Sequence, residues 1–259
     1  TVCIKAQEAN LKMKFDFSNV TGTSVKDDVS GIAASLVNNA KVMNMGKYKV
    51  LDLGNGTGYL NMTAAAGKVF SKNDDFSISV YYRVNEEASL SGNGFFLWSF
   101  ATTENTTATA GKYSAYRLNA QRFASSNGGY QNETGMEMGT ASDKGRWIHV
   151  AYTEKGGKGV LYIDGKAVKT KTGMHKNSTN FGSIAINHCW LGRAPFTADK
   201  YLTQTLITDF RYYGGCLTAE EIAELAKETE ILEYEMINGD GGNNASLLKS
   251  EQNKNLAAL

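Results

Sequence analysis

Arg146-Trp147-Ile148-His149-Val150-Ala151-Tyr152-Thr153, Gly156-Gly157-Lys158-Gly159 and Val160-Leu161-Tyr162-Ile163-Asp164-Gly165-Lys166 decide the fold. Residues 146–153 alternate in side-chain character, the period of two expected of a strand. The glycine-rich quartet turns the chain, and residues 160–163 return. Asp164-Gly165 is a strong two-residue turn signal, because a type I′ turn needs positive φ at both central positions. Residues 166–169 therefore open a third strand beside the first two.

The same period spreads outward. In residues 76–84, Phe76, Ile78, Val80, Tyr82 and Val84 share one face, and Ser77, Ser79, Tyr81 and Arg83 share the other. That pattern predicts a half-buried strand. Residues 94–100 are almost uniformly apolar and predict a central strand covered on both sides. Further strands are expected at 13–18, 48–53, 113–118, 183–187, 189–192 and 205–213, with polar loops at 101–112 and 124–135. Gly54-Asn55-Gly56-Thr57-Gly58 is not a phosphate loop, since no Lys-Ser or Lys-Thr follows at the required spacing and no helical pattern is evident. A strand-to-strand turn explains it. One helix is predicted, near the end: Thr218 and Glu221 form a capping box, with Leu217 and Ile222 flanking it as a staple. Ile222, Leu225 and Ala226 give it an apolar stripe. Many short strands, no strand–helix alternation and one terminal helix predict an all-β, two-sheet antiparallel sandwich with one short C-terminal helix.

These segments also carry a family resemblance. The hairpin around Trp147, His149, Val150, Tyr162, Asp164 and Gly165 is similar to the central hairpin of laminin-G-like jelly rolls in the concanavalin A-like superfamily. Leu191-Gly192-Arg193, the strand Ile207-Thr208-Asp209-Phe210-Arg211-Tyr212-Tyr213 and the helix start Leu217-Thr218-Ala219-Glu220-Glu221-Ile222 resemble later family motifs. Phe15-Asp16-Phe17, Asp28-Val29-Ser30-Gly31 and Asp75-Phe76-Ser77-Ile78 resemble its opening. The resemblance spans about residues 13–226, in order, and departs from the pattern at Thr208, where the family usually has Asp. It implies a jelly roll, export to the periplasm, cell surface or medium, and use as an accessory module of bacterial carbohydrate-active enzymes. It also implies a structural calcium held between Asp28 and Asp209, with Asp27 a spare carboxylate; the alternative is that Asp28 caps its loop and Asp209 pairs with a nearby Arg. Calcium takes six to eight oxygen ligands, so carbonyls and water would complete such a shell.

Composition narrows the function. Hydrophobic residues make up 42% and charged residues 20% of the 259, and net charge is +1. No basic footprint for nucleic acid exists, and no stretch is long and apolar enough for a membrane helix. The three cysteines, Cys3, Cys189 and Cys216, fit neither a disulfide scaffold nor a zinc pattern; Cys189 and Cys216 either pair or remain free thiols. Residues 1–10 read as a signal-peptide remnant or an ordinary N-terminal tail, 11–234 as the sandwich, and 235–259 as a linker or tail leading away from Asn238-Gly239-Asp240-Gly241-Gly242.

The expected ligand is a glycan, because sugars stack on aromatic rings while fixed polar groups read their hydroxyls. The ligand-binding candidates are Tyr113, Tyr116, Arg117, Tyr130, Trp190 and Arg193. Arg122 and Trp98 are of the same residue types, and Trp98 is expected in the core. Tyr130 lies in a polar loop, where aromatic side chains tend to be functional. No strand carries the paired carboxylates of sandwich glucanases. Glu133 and Glu137 sit in a loop, His149 reads as structural, and no nucleophile pattern is present. The leading expectation is a non-catalytic carbohydrate-binding module, covalently linked to a hydrolase in a longer chain. The alternatives are a protein–protein adhesion domain and a glycosidase with unrecognised carboxylates.

Overall fold

The computed structural model describes residues 10–239. Seventeen strands among them form two antiparallel sheets. The first sheet runs β15 (Lys166–Thr172), β14 (Lys158–Ile163), β13 (Trp147–Lys155), β8 (Phe76–Val84), β17 (Thr205–Tyr213), β6 (Tyr48–Asp52) and β5 (Lys41–Met45), with β1 (Leu11–Phe15) also pairing β17. The second runs β12 (Glu133–Glu137), β11 (Arg122–Ser126), β10 (Tyr113–Arg117), β9 (Phe96–Ala101), β16 (His188–Leu191), β7 (Tyr59–Asn61), β4 (Ala33–Val37), β3 (Ser24–Lys26) and β2 (Val20–Thr21). The two-sheet sandwich is as expected.

The predicted hairpin is present, with Val150 opposite Ile163 and Lys155 opposite Lys158. Asp164 and Gly165 take φ of 48° and 76°, as a type I′ turn demands. The core between the sheets takes Phe76, Ile78, Val80, Tyr82 and Val84 from β8 and Trp98, Phe100, Tyr116 and Phe123 from the facing sheet. Phe123 and Tyr152 stack across it at 3.5 Å between ring centres.

The outer face of β8, expected to meet solvent, is buried as well. Ser77, Ser79, Tyr81 and Arg83 lie beneath the C-terminal segment: Ser77 Oγ donates to the Gly215 carbonyl, and the Tyr81 hydroxyl donates to the Leu225 carbonyl. That carbonyl belongs to α3 (Ala219–Ala226), which starts at the predicted Thr218–Glu221 capping box. A further helix, α4 (Glu228–Asn238), follows. It packs Leu232 and Met236 against Trp147 and Tyr81, and Glu233 accepts a hydrogen bond from the Trp147 backbone N–H. The fold therefore continues past residue 235, where the sequence placed a linker; residues 1–9 and 240–259, with Cys3, lie outside the described residues.

Two helices earlier in the chain were not predicted either. Helix α1 (Thr63–Phe70) starts two residues after Asn61, whose side chain accepts the Thr63 N–H. Its eight residues are too few for a helical period to stand out, yet it delivers Phe70 into the core, stacked on Phe100 at 4.2 Å. Helix α2 (Asn177–Phe181) and a loop occupy the region up to 187, where a strand was expected at 183–187. The loop expected at 124–135 is instead the end of β11, a short 3-10 turn (Tyr130–Asn132) and the start of β12. Cys189 is buried and Cys216 exposed, and both are free thiols.

Candidate functional site

The outer face of the first sheet is roofed by α3 and α4 and keeps a cavity of about 550 Å³ beside them, lined by Asp16, Tyr48, Asp209 and Arg211 among others, while a smaller recess on the outer face of the second sheet gathers the candidate ligand residues. Alternation along β10 sends Tyr113, Ala115 and Arg117 outward and Ser114 and Tyr116 inward. On β11 it sends Arg122 and Ala124 outward. Tyr113, Ala115, Ala124 and Phe96 of β9 form an apolar cluster separate from the core. Phe196, from the loop after β16, leans over it, 5.4 Å from the Tyr113 ring centre and 5.9 Å from that of Phe96. Together these side chains, with Arg117, Arg122, Tyr130, Glu133, Asp199 and Asn93, enclose a cavity of about 360 Å³. Small residues at Ala115 and Ala124 leave the floor low, and the surrounding aromatics supply walls.

Backbone hydrogen bonds hold the rim. Tyr130 N–H donates to the Thr107 carbonyl and Gln131 N–H to the Ala108 carbonyl, each at 3.0 Å, and Thr106 N–H reaches the Pro195 carbonyl at 2.9 Å. Gly129 makes the crossing possible: its φ is +77°, and a Cβ there would lie 2.4 Å from the Ala108 carbonyl. The 102–111 loop, the Tyr130 turn and the Phe196 loop therefore brace one another at the rim. Tyr130 is 51% exposed there.

The polar groups divide into spent and unspent. Glu133 accepts from both the Tyr113 hydroxyl and the Arg122 guanidinium, and Arg122 also reaches Glu137 at 3.3 Å. Burial and the bond to Glu133 raise the Tyr113 pKa, so the phenol stays protonated and donating. Arg117 differs. Its Nε is buried without an acceptor, and none of its nitrogens has a hydrogen-bond partner among the described residues. Burial pushes the Asp199 carboxyl upward, while the nearby Arg117 charge opposes that rise.

Of the six candidate ligand residues, Tyr113, Arg117 and Tyr130 converge on this cavity, and Arg122 joins them. Tyr116 does not: it faces the core, fully buried and stacked on Trp98 at 4.8 Å. Alternation with Tyr113 and Arg117 required this. Trp98 is core, as expected. Trp190 and Arg193 form a different cluster on the same face. The Arg193 guanidinium lies 4.1 Å from the Trp190 ring centre and 5.0 Å from that of Tyr59. It also donates to the Tyr59 hydroxyl at 3.1 Å and pairs with Glu104 at 2.8 Å. Trp190 is only 3% exposed, so its ring face is already occupied.

Sequence reasoning missed Phe96, Phe196 and Asp199. Phe96 sits in an apolar run with a β-bulge, which hides its direction. Phe196 follows the single proline in a loop, and its place as a loop aromatic was a usable signal.

The two carboxylates expected to hold calcium are engaged by protein donors. Arg211 donates from Nε and Nη2 to the two oxygens of Asp209, at 2.8 and 2.5 Å. Asp28 accepts from the Asn19 side chain at 2.9 Å. The buried neighbour Asp27 is the loop organiser, taking the N–H groups of Lys14, Val29 and Ser30. A cation at Asp209 would have to displace a bidentate guanidinium, so this donor set suits arginine better than calcium. His149 is buried, with Nε2 2.8 Å from Ser79 Oγ, and burial lowers its pKa to about 3. The pair lies under the helical roof, out of reach of substrate.

Comparison with known proteins agrees with this architecture. No curated protein matches the chain by sequence. Among solved structures, domain 4 of AbnA, an extracellular GH43 arabinanase from Geobacillus stearothermophilus in complex with arabinotriose, superposes with a TM-score of 0.64 at 15% identity, over 84% of this chain and 98% of that domain. A botulinum neurotoxin type C structure, described as depending on two ganglioside molecules for cell entry, superposes at 0.63 and 17% identity, over 87% of this chain and 53% of the toxin chain. A mutant Trypanosoma rangeli sialidase with trans-sialidase activity superposes at 0.59 and 15% identity, over 86% of this chain and 34% of the enzyme. The chain thus spans about half of the toxin chain and a third of the sialidase. The Laminin_G_3 model, described as concanavalin A-like lectin/glucanases superfamily, matches residues 54–223, which hold the central hairpin, the cavity strands and the start of the capped helix. The chain belongs to the concanavalin A-like lectin/glucanases superfamily.

Proposed function

We propose that this protein is a carbohydrate-binding module, and that its glycan lies in the cavity on the outer face of the second sheet. One observation carries the reading: aromatic walls from Phe96, Tyr113 and Phe196 and polar groups from Arg117, Arg122 and Glu133 converge on one recess beside the half-exposed Tyr130. Aromatic faces match the C–H faces of a sugar ring, and the fixed donors and acceptors match its hydroxyls. The likeness to an arabinanase domain seen with arabinotriose supports the same reading.

The module acts by holding its glycan without cleaving it. Glu133 is tied by Tyr113 and Arg122, which suits it to positioning rather than proton transfer. Work as an exported accessory domain, beside a hydrolase in a longer bacterial protein, follows from the family's usual role and forms the wider part of the proposal.

The test is a glycan array probed with the wild-type protein and with Ala115→Trp, which fills the cavity floor. Binding by the wild type and loss in a variant of unchanged melting temperature is the expected result. Glycan binding that survives Ala115→Trp would move the site off this cavity.

A further inference from the structure

Resting on that reading, we infer that the sugar bound in this cavity carries a carboxylate, so that the module recognises an acidic, uronate-type glycan through Arg117. The cavity's charged groups differ sharply in how far their bonding is satisfied. Arg122 is held from two sides by Glu133 and Glu137, and Glu133 is further held by Tyr113. Arg122 and Glu133 thus already have partners before any ligand arrives, and the trio carries one net negative charge. Arg117 lines the same recess, and no carboxylate, carbonyl or hydroxyl among the described residues accepts from its guanidinium.

An arginine half-buried in this way is costly unless something accepts from it. A donor removed from water without an acceptor loses its solvation, and the loss is larger for a charged group. Most half-buried arginines here meet that demand from within the protein: Arg211 with Asp209, Arg193 with Glu104 and Tyr59, Arg122 with its two glutamates. Arg117 stands as the exception, and it stands in the recess that has the shape for a ring.

Asp199, on the cavity wall, is a charge complement to Arg117. It feels the Arg117 charge but makes no hydrogen bond to it. Asp199 therefore leaves the guanidinium's donors open. A planar guanidinium offers parallel N–H groups that fit a carboxylate in a bidentate arrangement, a geometry a neutral hydroxyl cannot fill. Phe96 and Phe196 sit beside it to take the apolar ring face. The recess is thus built for a ring that is apolar on its face and anionic at one edge.

The experiment is calorimetric titration with uronate oligosaccharides of several backbones, including galacturonate, glucuronate and mannuronate. Each is paired with its carboxyl-reduced neutral counterpart, and wild type is compared with Arg117→Gln. The expected result is binding of at least one acid form, weakened about tenfold or more by carboxyl reduction. Arg117→Gln should weaken the acid form by a similar factor and leave any residual affinity for its neutral counterpart within about twofold. Equal binding of acid and reduced forms overturns the carboxylate inference and leaves the glycan reading standing. Binding of acid forms that survives Arg117→Gln assigns the anion to another residue and overturns the role of Arg117. Failure to bind either form across the panel, together with failure to bind any neutral glycan, overturns both. Circular dichroism and melting of Arg117→Gln check that the variant is folded.

Discussion

Arg193 sits over Trp190, its guanidinium carbon 4.1 Å from the ring centre, so two residues of the expected glycan site spend their binding capacity on each other. A cation packed on aromatic rings and partly desolvated contributes about 1–2 kcal/mol. Arg193→Ala is expected to lower unfolding free energy by that amount in chemical denaturation, while glycan affinity stays within about twofold. A strong loss of glycan affinity with stability intact would return Trp190 and Arg193 to the binding site.

Tyr130 is the converse case. It is half-exposed at the cavity rim, and its side chain has little structural work to do. Tyr130→Ala should change stability by less than about 0.5 kcal/mol. It should weaken glycan binding by up to about tenfold, the scale of one aromatic face contact. Titration of wild type and variant against the same glycan reads this directly.

Asp209 and Arg211 predict the response to calcium. Because Arg211 occupies both Asp209 oxygens, adding about 1 mM calcium or a chelator should leave the melting temperature unchanged within about 1 °C. Asp209→Ala should cost about 2 kcal/mol, since it strands a half-buried guanidinium. A rise in melting temperature that saturates with calcium, and that vanishes in Asp209→Ala, would restore the metal site.

Two buried groups predict an unusual pH profile. Burial raises Glu154 from 4.5 to about 7, despite its bond from the Tyr152 hydroxyl and with help from Asp74 and Asp75. Its stabilising contribution is complete below pH 4.5 and is lost as pH rises to about 7. His149 is lowered from 6.5 to about 3, so its contribution is complete above pH 6.5 and is lost as pH falls toward 3. Between pH 4.5 and 6.5 the two slopes, each about 1.4 kcal/mol per pH unit, oppose each other. Glu154→Gln should therefore unmask a steady loss of stability as pH falls from 6.5, and should stabilise the protein at pH 8. Urea midpoints across pH 4.5–8 test it; parallel curves for the two proteins would show that Glu154 does not titrate in this range.

The sequence made the frame legible because the frame is repetitive. Alternation in residues 76–84 and 146–163 and the Asp164-Gly165 turn are local signals, and the fold honours them. The capping box at Thr218 is equally local. What stayed hidden depends on distant partners. The outer face of β8 looks polar in sequence, yet Ser77 and Tyr81 are covered by a segment more than a hundred residues later. The site was half legible. Tyr113, Arg117 and Tyr130 were chosen for residue type and loop position, and they share a cavity. Tyr116 was chosen by the same criterion, although the alternation that places Tyr113 and Arg117 outward turns it inward. Phe196 and Asp199 reach the site through a loop whose Pro195 and Lys200 backbone groups bond to Thr106, Phe95 and Asn93, a closure no local pattern announces.

The roof formed by α3 and α4 gives the molecule a back and a front. The chain passes residue 239 beside the β5–β6 turn, on the roofed sheet, where Gly239 meets Gly46. The cavity opens on the opposite sheet. A ligand held in that cavity would therefore be separated from Gly239 and the roof helices by the full thickness of both sheets.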